Sequence, residues 1–248
     1  MLNRLAERRL LVPTLMVAVM LPVLIGLGLW QLDRRQWKEG LLRDLAARAK
    51  APPVAIETLL GPDGDLSKPA HDLEYLAVSA QGHFHHDKES YIYAPDPALG
   101  PGVHVVTPFE LASGRIVLVN RGFVPDAKRD PASRAEGLES GPTEIYGLVR
   151  TLDEPRLFTP AYDAGNRLWF WRDYDGMIAH HFSAPPPQLR LFLDATLAAP
   201  GGWPQGSPTR LDLPNRHLEY ALTWFGLAIA LLAIYVMFAM SRLRPSST

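Results

Sequence analysis

The chain has 248 residues, with 25 Lys and Arg against 26 Asp and Glu, a formal net charge of −1 and no cysteine. A balance this close to neutral lacks the basic patch or stripe that a nucleic-acid partner requires. The missing thiols exclude disulfides, thiolate metal sites, a cysteine nucleophile and the handling of copper by thiols.

Two apolar runs, Leu10 to Leu32 and Ala221 to Met240, lie near opposite ends and contain no charged residue. A hydrocarbon core of about 30 Å needs roughly 20 apolar residues as helix, and both runs meet that length. A signal peptide's apolar region covers only about 7 to 15 residues, and no small-residue cleavage site follows Leu32, so both runs are read as retained spans. Arg4, Arg8 and Arg9 precede the first span, and Arg242 and Arg244 follow the second. Basic flanks tend to stay cytoplasmic, which places both termini inside and the intervening domain outside. Arg34, Arg35, Lys38 and Arg43 argue the other way, but Asp33, Glu39 and Asp44 are interleaved with them. The short N-terminus lacks an Arg-rich, acid-poor presequence, so the expected location is a bacterial inner membrane with a periplasmic central domain.

The first span continues as an amphipathic helix, with Trp37, Leu41, Leu42, Leu45, Ala46 and Ala49 at helical spacing until Pro52 and Pro53 stop it. Trp30 and Trp37 bracket the interface in the manner of an aromatic belt. A short helical turn and an exposed loop are expected between Ile56 and Ala70. From Tyr75 the pattern changes to short β-branched and aromatic stretches separated by Gly and Pro. They are Tyr75 to Phe84, Ser90 to Ala94, Val103 to Phe109, Arg115 to Val124, Glu144 to Leu152, Leu168 to Trp171 and Leu189 to Ala195. Alternation in Arg115 to Asn120 and in Leu189 to Asp194 predicts one apolar and one partly polar face. A short helix over Asp173 to His181, capped by Asp173 or Asp175, precedes the prolines 185 to 187.

The expected fold is therefore a membrane protein of α+β class. Its two transmembrane helices flank a β-rich extracytoplasmic domain, either a small antiparallel barrel or a curved sheet. The segments are a tail over 1–9, a span over 10–32, a helical extension over 33–52, a β-rich domain with its connector over 53–219, a span over 220–240 and a tail over 241–248.

The start of the second span is the most informative segment. Pro214 suits a helix start and Asn215 a cap. His217, Tyr220 and Trp224 fall at i, i+3 and i+7 on one helix face, with the imidazole at the outer membrane surface. Such an imidazole can ligate a haem iron whose macrocycle lies against apolar surface. The same three residue types are also ordinary interfacial belt chemistry. For Asn120-Arg121-Gly122, Gly122 allows a turn or bulge, and Arg121 either grips a carboxylate of a ligand or partner or pairs inside the domain. His83-Phe-His-His86 places His83 and His85 on one side of a strand, but no fourth ligand stands at a zinc-like spacing. His180 and His181 suit a helix C-terminus. Gly-x-Ser-x-Gly and phosphate-loop motifs are absent, and catalysis is not expected.

Leu27-Gly-Leu-Trp-Gln-Leu-Asp-Arg-Arg35 with Trp37 and Lys38 resembles the first-span signature of the Surfeit locus protein 1 family. Val117-Leu-Val-Asn-Arg-Gly-Phe-Val-Pro125 is similar to its central strand-turn motif, with Phe123 in place of Trp. Gly201-Gly, Asn215, His217, Tyr220 and Thr223-Trp224 resemble its closing motif. The resemblance implies an assembly factor for haem-copper cytochrome c oxidase, whose bacterial members bind haem a and help deliver it to the catalytic subunit. It maps the iron ligand onto His217 and a companion Trp onto Trp224. Tyr220 is then either a hydrogen-bond donor to a haem substituent or an interfacial anchor. Arg34 and Arg35 are candidates for the haem propionates or for lipid headgroups, and Arg121 is a further propionate candidate. Implied partners are the oxidase catalytic subunit, other oxidase assembly factors or haem a synthase, and membrane lipid. The alternative is a scaffold that holds an assembly intermediate without a cofactor.

Overall fold

The computed structural model describes residues 10–61, 63–152, 154–206 and 215–243. Of the residues that carried the orientation argument, Arg4, Arg8, Arg9 and Arg244 lie outside them, as does Pro214. The chain divides into two compact units, Met1–Arg43 with Asp212–Thr248, and Asp44–Leu211.

The first unit is built on two long helices, α1 (Leu11–Lys50) and α3 (His217–Leu243). At about 1.5 Å per residue, each is long enough to cross a hydrocarbon core. Their apolar side chains stay uncovered, with Val12 65% and Ile229 70% exposed, which suits lipid and not water. The two helices pack antiparallel along a narrow seam. Thr14 Oγ1 donates to the Leu10 carbonyl and accepts from the Tyr235 hydroxyl at 2.7 Å. Gly28 meets the Phe225 ring so closely that a Cβ there would stand 2.5 Å from a ring carbon. Small residues let helices approach in lipid, and buried Ala221 and Ala228 continue that logic on α3. The Arg216 carbonyl accepts from Tyr220 N, so Arg216 holds the cap position of α3 and Asn215, the expected cap, precedes it.

The second unit is a β domain. All seven predicted strands form, as β2 (Ala77–Phe84), β3 (Ser90–Tyr93), β4 (Gly102–Leu111), β5 (Ile116–Pro125), β6 (Thr143–Arg150), β7 (Leu168–Trp169) and β8 (Gln188–Ala195). They are joined by a two-residue strand, β1 (Val54–Ala55), that the sequence did not signal. The sheet order is β1-β2-β6-β8-β5-β4-β3-β7, and a further β2–β4 pairing closes β2, β6, β8, β5 and β4 into a five-stranded barrel. Within the barrel β5 and β8 run parallel, while the other neighbours are antiparallel.

Alternate residues fill the interior: Val78 and Ala80, Phe109 and Leu111, Val117 and Val119, Val149, then Leu189, Leu191 and Leu193. The opposite face of β5 is also buried, which corrects the expectation of a partly polar side. Ile116 and Leu118 pack with Phe192 under Met177 and Ile178 of α2 (Tyr174–His181). Asp173 caps that helix by accepting from Gly176 N at 2.9 Å.

The central motif lies on a continuous strand with a bulge, and not at a turn. Val105 pairs with Gly122 and Val106 with Asn120, so Arg121 is the extra residue. Gly122 has φ 111°, and a Cβ there would overlap the Gln205 carbonyl at 1.6 Å.

Candidate functional site

Each of the two units contributes one set of sequence-nominated residues, and the two sets have different surroundings.

Arg121 is 3% exposed. Its guanidinium donates to the Gly137 carbonyl and to His86 Nδ1 at 3.3 Å, lies 3.6 Å from Glu89 Oε1 and stacks 4.7 Å above the Phe84 ring. Arg134 forks onto both oxygens of the same Glu89. Burial draws Arg121 down to about 10 against the pull of Glu89, so it stays charged at neutral pH. Burial, then Arg121, pushes His86 below its ordinary value, and the neutral ring accepts from Arg121. The arginine is paired inside the domain.

Asn120 is equally engaged, donating to Asp194 at 2.9 Å and to His104 at 3.0 Å while accepting from Gly122 N at 3.0 Å. Asp194 also takes Arg150 at 3.1 Å and Arg172 at 3.0 Å, and Arg150 reaches Glu74 at 2.8 Å. This network floors a cleft of about 540 Å³, where two arginines are balanced by two carboxylates. It ties β5, β6 and β8 together.

The helix pair presents its polar residues differently. His217 Nδ1 lies 2.7 Å from Gln31 Oε1. An amide oxygen only accepts, so Nδ1–H donates to it, and in the neutral ring the lone pair is then at Nε2. One hydrogen bond across the helix seam thereby fixes both the tautomer and the direction of the imidazole, the arrangement that ligating histidines use. His217 and Trp224 are half-buried, while Tyr220 is exposed. On α1, Arg34 and Arg35 follow Gln31 by three and four residues, which places them one turn along the same side. Arg34 stacks 4.0 Å over Trp37, and Arg35 donates to Glu39 at 2.7 Å. An imidazole whose Nε2 has no hydrogen-bond partner among the described residues, beside uncovered apolar surface, fits a haem iron by donor chemistry.

Gln31 was quoted in the sequence motif without a role. The signal was available: Thr14 and Gln31 are the two hydrogen-bonding polar side chains inside the first apolar run other than Trp30, and both face α3.

The sequence model of the SURF1 family matches residues 18–229, most of the chain. The chain belongs to the SURF1 family. Surfeit locus protein 1 of Rattus norvegicus is 36% identical over 223 residues, covering 83% of this chain and 68% of the relative. The protein of that name from Homo sapiens is 36% identical over 234 residues, covering 86% and 73%. A SURF1-like protein of Monosiga brevicollis is 35% identical over 229 residues, covering 86% and 82%. The SURF1 match begins inside α1 and ends inside α3, so Gln31, the β5 bulge, His217 and Trp224 all fall within it.

Proposed function

We propose that this SURF1 family member assists assembly of a haem-copper cytochrome c oxidase by holding haem a at the end of the α1–α3 pair and passing it towards the catalytic subunit. The observation that carries the reading is the Gln31–His217 hydrogen bond, which holds one imidazole nitrogen ready for iron. His217 is the proposed ligand. Trp224 and Tyr220 lie along the same helix face by their spacing, and Arg34 and Arg35 stand one turn from Gln31 as candidates for the propionates. When bound, haem a supplies a Lewis-acidic iron for the imidazole and a long isoprenoid tail that is costly to hold in water. The uncovered faces of α1 and α3 keep that tail in lipid. A single protein ligand suits a carrier that must also release. The proposed setting is a bacterial inner membrane, with both termini cytoplasmic and the β unit periplasmic. Proposed partners are the oxidase catalytic subunit, other assembly factors or haem a synthase.

The test is the optical spectrum of the protein purified in mild detergent from cells that make haem a, beside the His217→Ala variant. A haem a band in the parent, lost in a variant that still enters the membrane, is the expected result. A variant with full haem content overturns the ligand assignment.

A cofactor-free scaffold is the second reading, and one observation favours it. Leu157 and Phe158, between β6 and β7, are each 90% exposed, an apolar pair suited to a protein partner. With Arg121 turned inward, this pair replaces it as the candidate contact. Absence of haem from both parent and variant, with oxidase subunits still co-purifying from cells unable to make haem a, selects the scaffold.

A further inference from the structure

We infer that His83, His85 and Glu110 form a binding site for a divalent transition-metal ion on the outer seam of the barrel, independent of the haem reading. The site arises from strand register. His83 of β2 stands directly opposite Glu110 of β4, and Phe84 opposite Phe109. Phe84 and Phe109 turn towards the core with their rings 4.8 Å apart, which commits their neighbours to the outer face. His85 lies just past the end of β2, where its N–H donates to the Pro108 carbonyl at 2.9 Å and continues the pairing. Two imidazoles from one strand thus flank an apolar anchor and meet a carboxylate from the strand across.

The spacing is that of ligands around one small ion. Glu110 Oε2 is 2.9 Å from His85 Nε2 and 3.4 Å from His83 Nε2, and all three donors lie within 4.8 Å of one another. Donors bonded at about 2.0 to 2.1 Å stand roughly 2.9 Å apart at right angles and roughly 3.4 Å apart at the tetrahedral angle. The half-exposed His83 ring is free to turn towards such an arrangement. The donor set selects the metal class. Two imidazoles and one carboxylate suit Zn²⁺, Ni²⁺, Cu²⁺ or Fe²⁺, whereas Ca²⁺ and Mg²⁺ prefer oxygen throughout. Three protein ligands leave a further position open to water or to a donor from outside the chain. The ion would cross-link β2 to β4 at the pairing that closes the barrel.

Zn²⁺ titration of the full chain in mild detergent, followed by calorimetry and by thermal unfolding, tests the site. The parent is expected to bind one ion per chain and to unfold at higher temperature when loaded. His83→Ala with His85→Ala should abolish both effects, and Glu110→Gln, which keeps the side chain's shape, should weaken binding by more than about tenfold. His217→Ala should leave the site intact. The inference is overturned if the parent binds no more tightly than the double variant, or if Glu110→Gln binds as the parent does. Should the double variant fail to fold, the Glu110→Gln comparison decides alone.

Discussion

In the β unit the polar residues of the central motif point at one another, whereas those of the closing motif stand at the edge of a helix pair with bonding capacity left over. Asn120 and Arg121 hold a bulge, a carboxylate network and a buried Glu89, and their donors are taken up inside the domain. His217 gives one ring nitrogen to Gln31 and keeps the other. The family-like residues in the two places therefore do different work. One set builds a barrel, and the other carries the proposed ligand. The sequence offers His217 as an iron ligand and leaves Arg121 between a propionate contact and pairing inside the domain, and the partners of Arg121 decide for the second.

The largest effect expected from this contrast is on the barrel. Arg134→Ala strands Glu89, which is 3% exposed at its side chain, with only the more distant Arg121 for charge. Breaking a buried pair by removing one partner costs about 3 to 5 kcal/mol. The variant should show a sharp drop in thermal unfolding temperature and in steady-state level, through loss of the fold and not of a ligand. An unchanged melt would mean that the Glu89 cluster is not what holds this side of the barrel.

Acidification comes next. His181 is held down to about 4, first by burial and then by His180 and Lys88, against an ordinary value of 6.5. His86 and His104 are lowered in the same direction, burial being the first cause in each. The unfolded chain takes up these protons near pH 6.5, while the folded β unit refuses that of His181 until about pH 4. Stability is therefore intact above 6.5 and falls as the pH drops through that window. Urea midpoints of the full chain in detergent, measured by a probe in the β unit between pH 7 and pH 4, should show that slope, and it should shrink in His181→Gln. A flat profile would contradict the burial of these rings.

The smallest effect on folding is expected at the helix pair. Gln31→Leu should leave the β-unit melt unchanged while weakening haem a retention by about 10- to 100-fold, the usual consequence of removing a ligand's orienting partner. Equal loss of fold and haem would collapse the distinction between the two regions.

The sequence made much of this visible. Seven strands, the capped short helix and both apolar helices follow from local pattern, because period and punctuation are local properties. Closure of the barrel was not legible, since β2 meets β4 through the register of Gly82 with Leu111, which no local signal carries. The double burial of β5 was misread because its second cover, α2, comes about fifty residues later in the chain. The same limit applied to sites. His217, Tyr220 and Trp224 share a face by spacing alone, but Gln31 reaches His217 from the far end of the chain. The sequence around His83 and His85 showed no ligand set at a zinc-like spacing, and Glu110 joins the two imidazoles only through strand pairing.

The parallel pairing of β5 with β8 has a consequence for the order in which the chain is made. β8 lies between β6 and β5, so no ring of strands exists until residue 195 has been synthesised. Before that, β5 and β6 each present an unpaired edge of the kind that recruits other chains. The nascent domain must therefore wait, half-built, for a strand that arrives about twenty residues before α3 does. Vectorial synthesis leaves only that short interval in which the barrel can close before the second long helix is made, and a ribosome stalled ahead of Gln188 would hold a domain with two open edges.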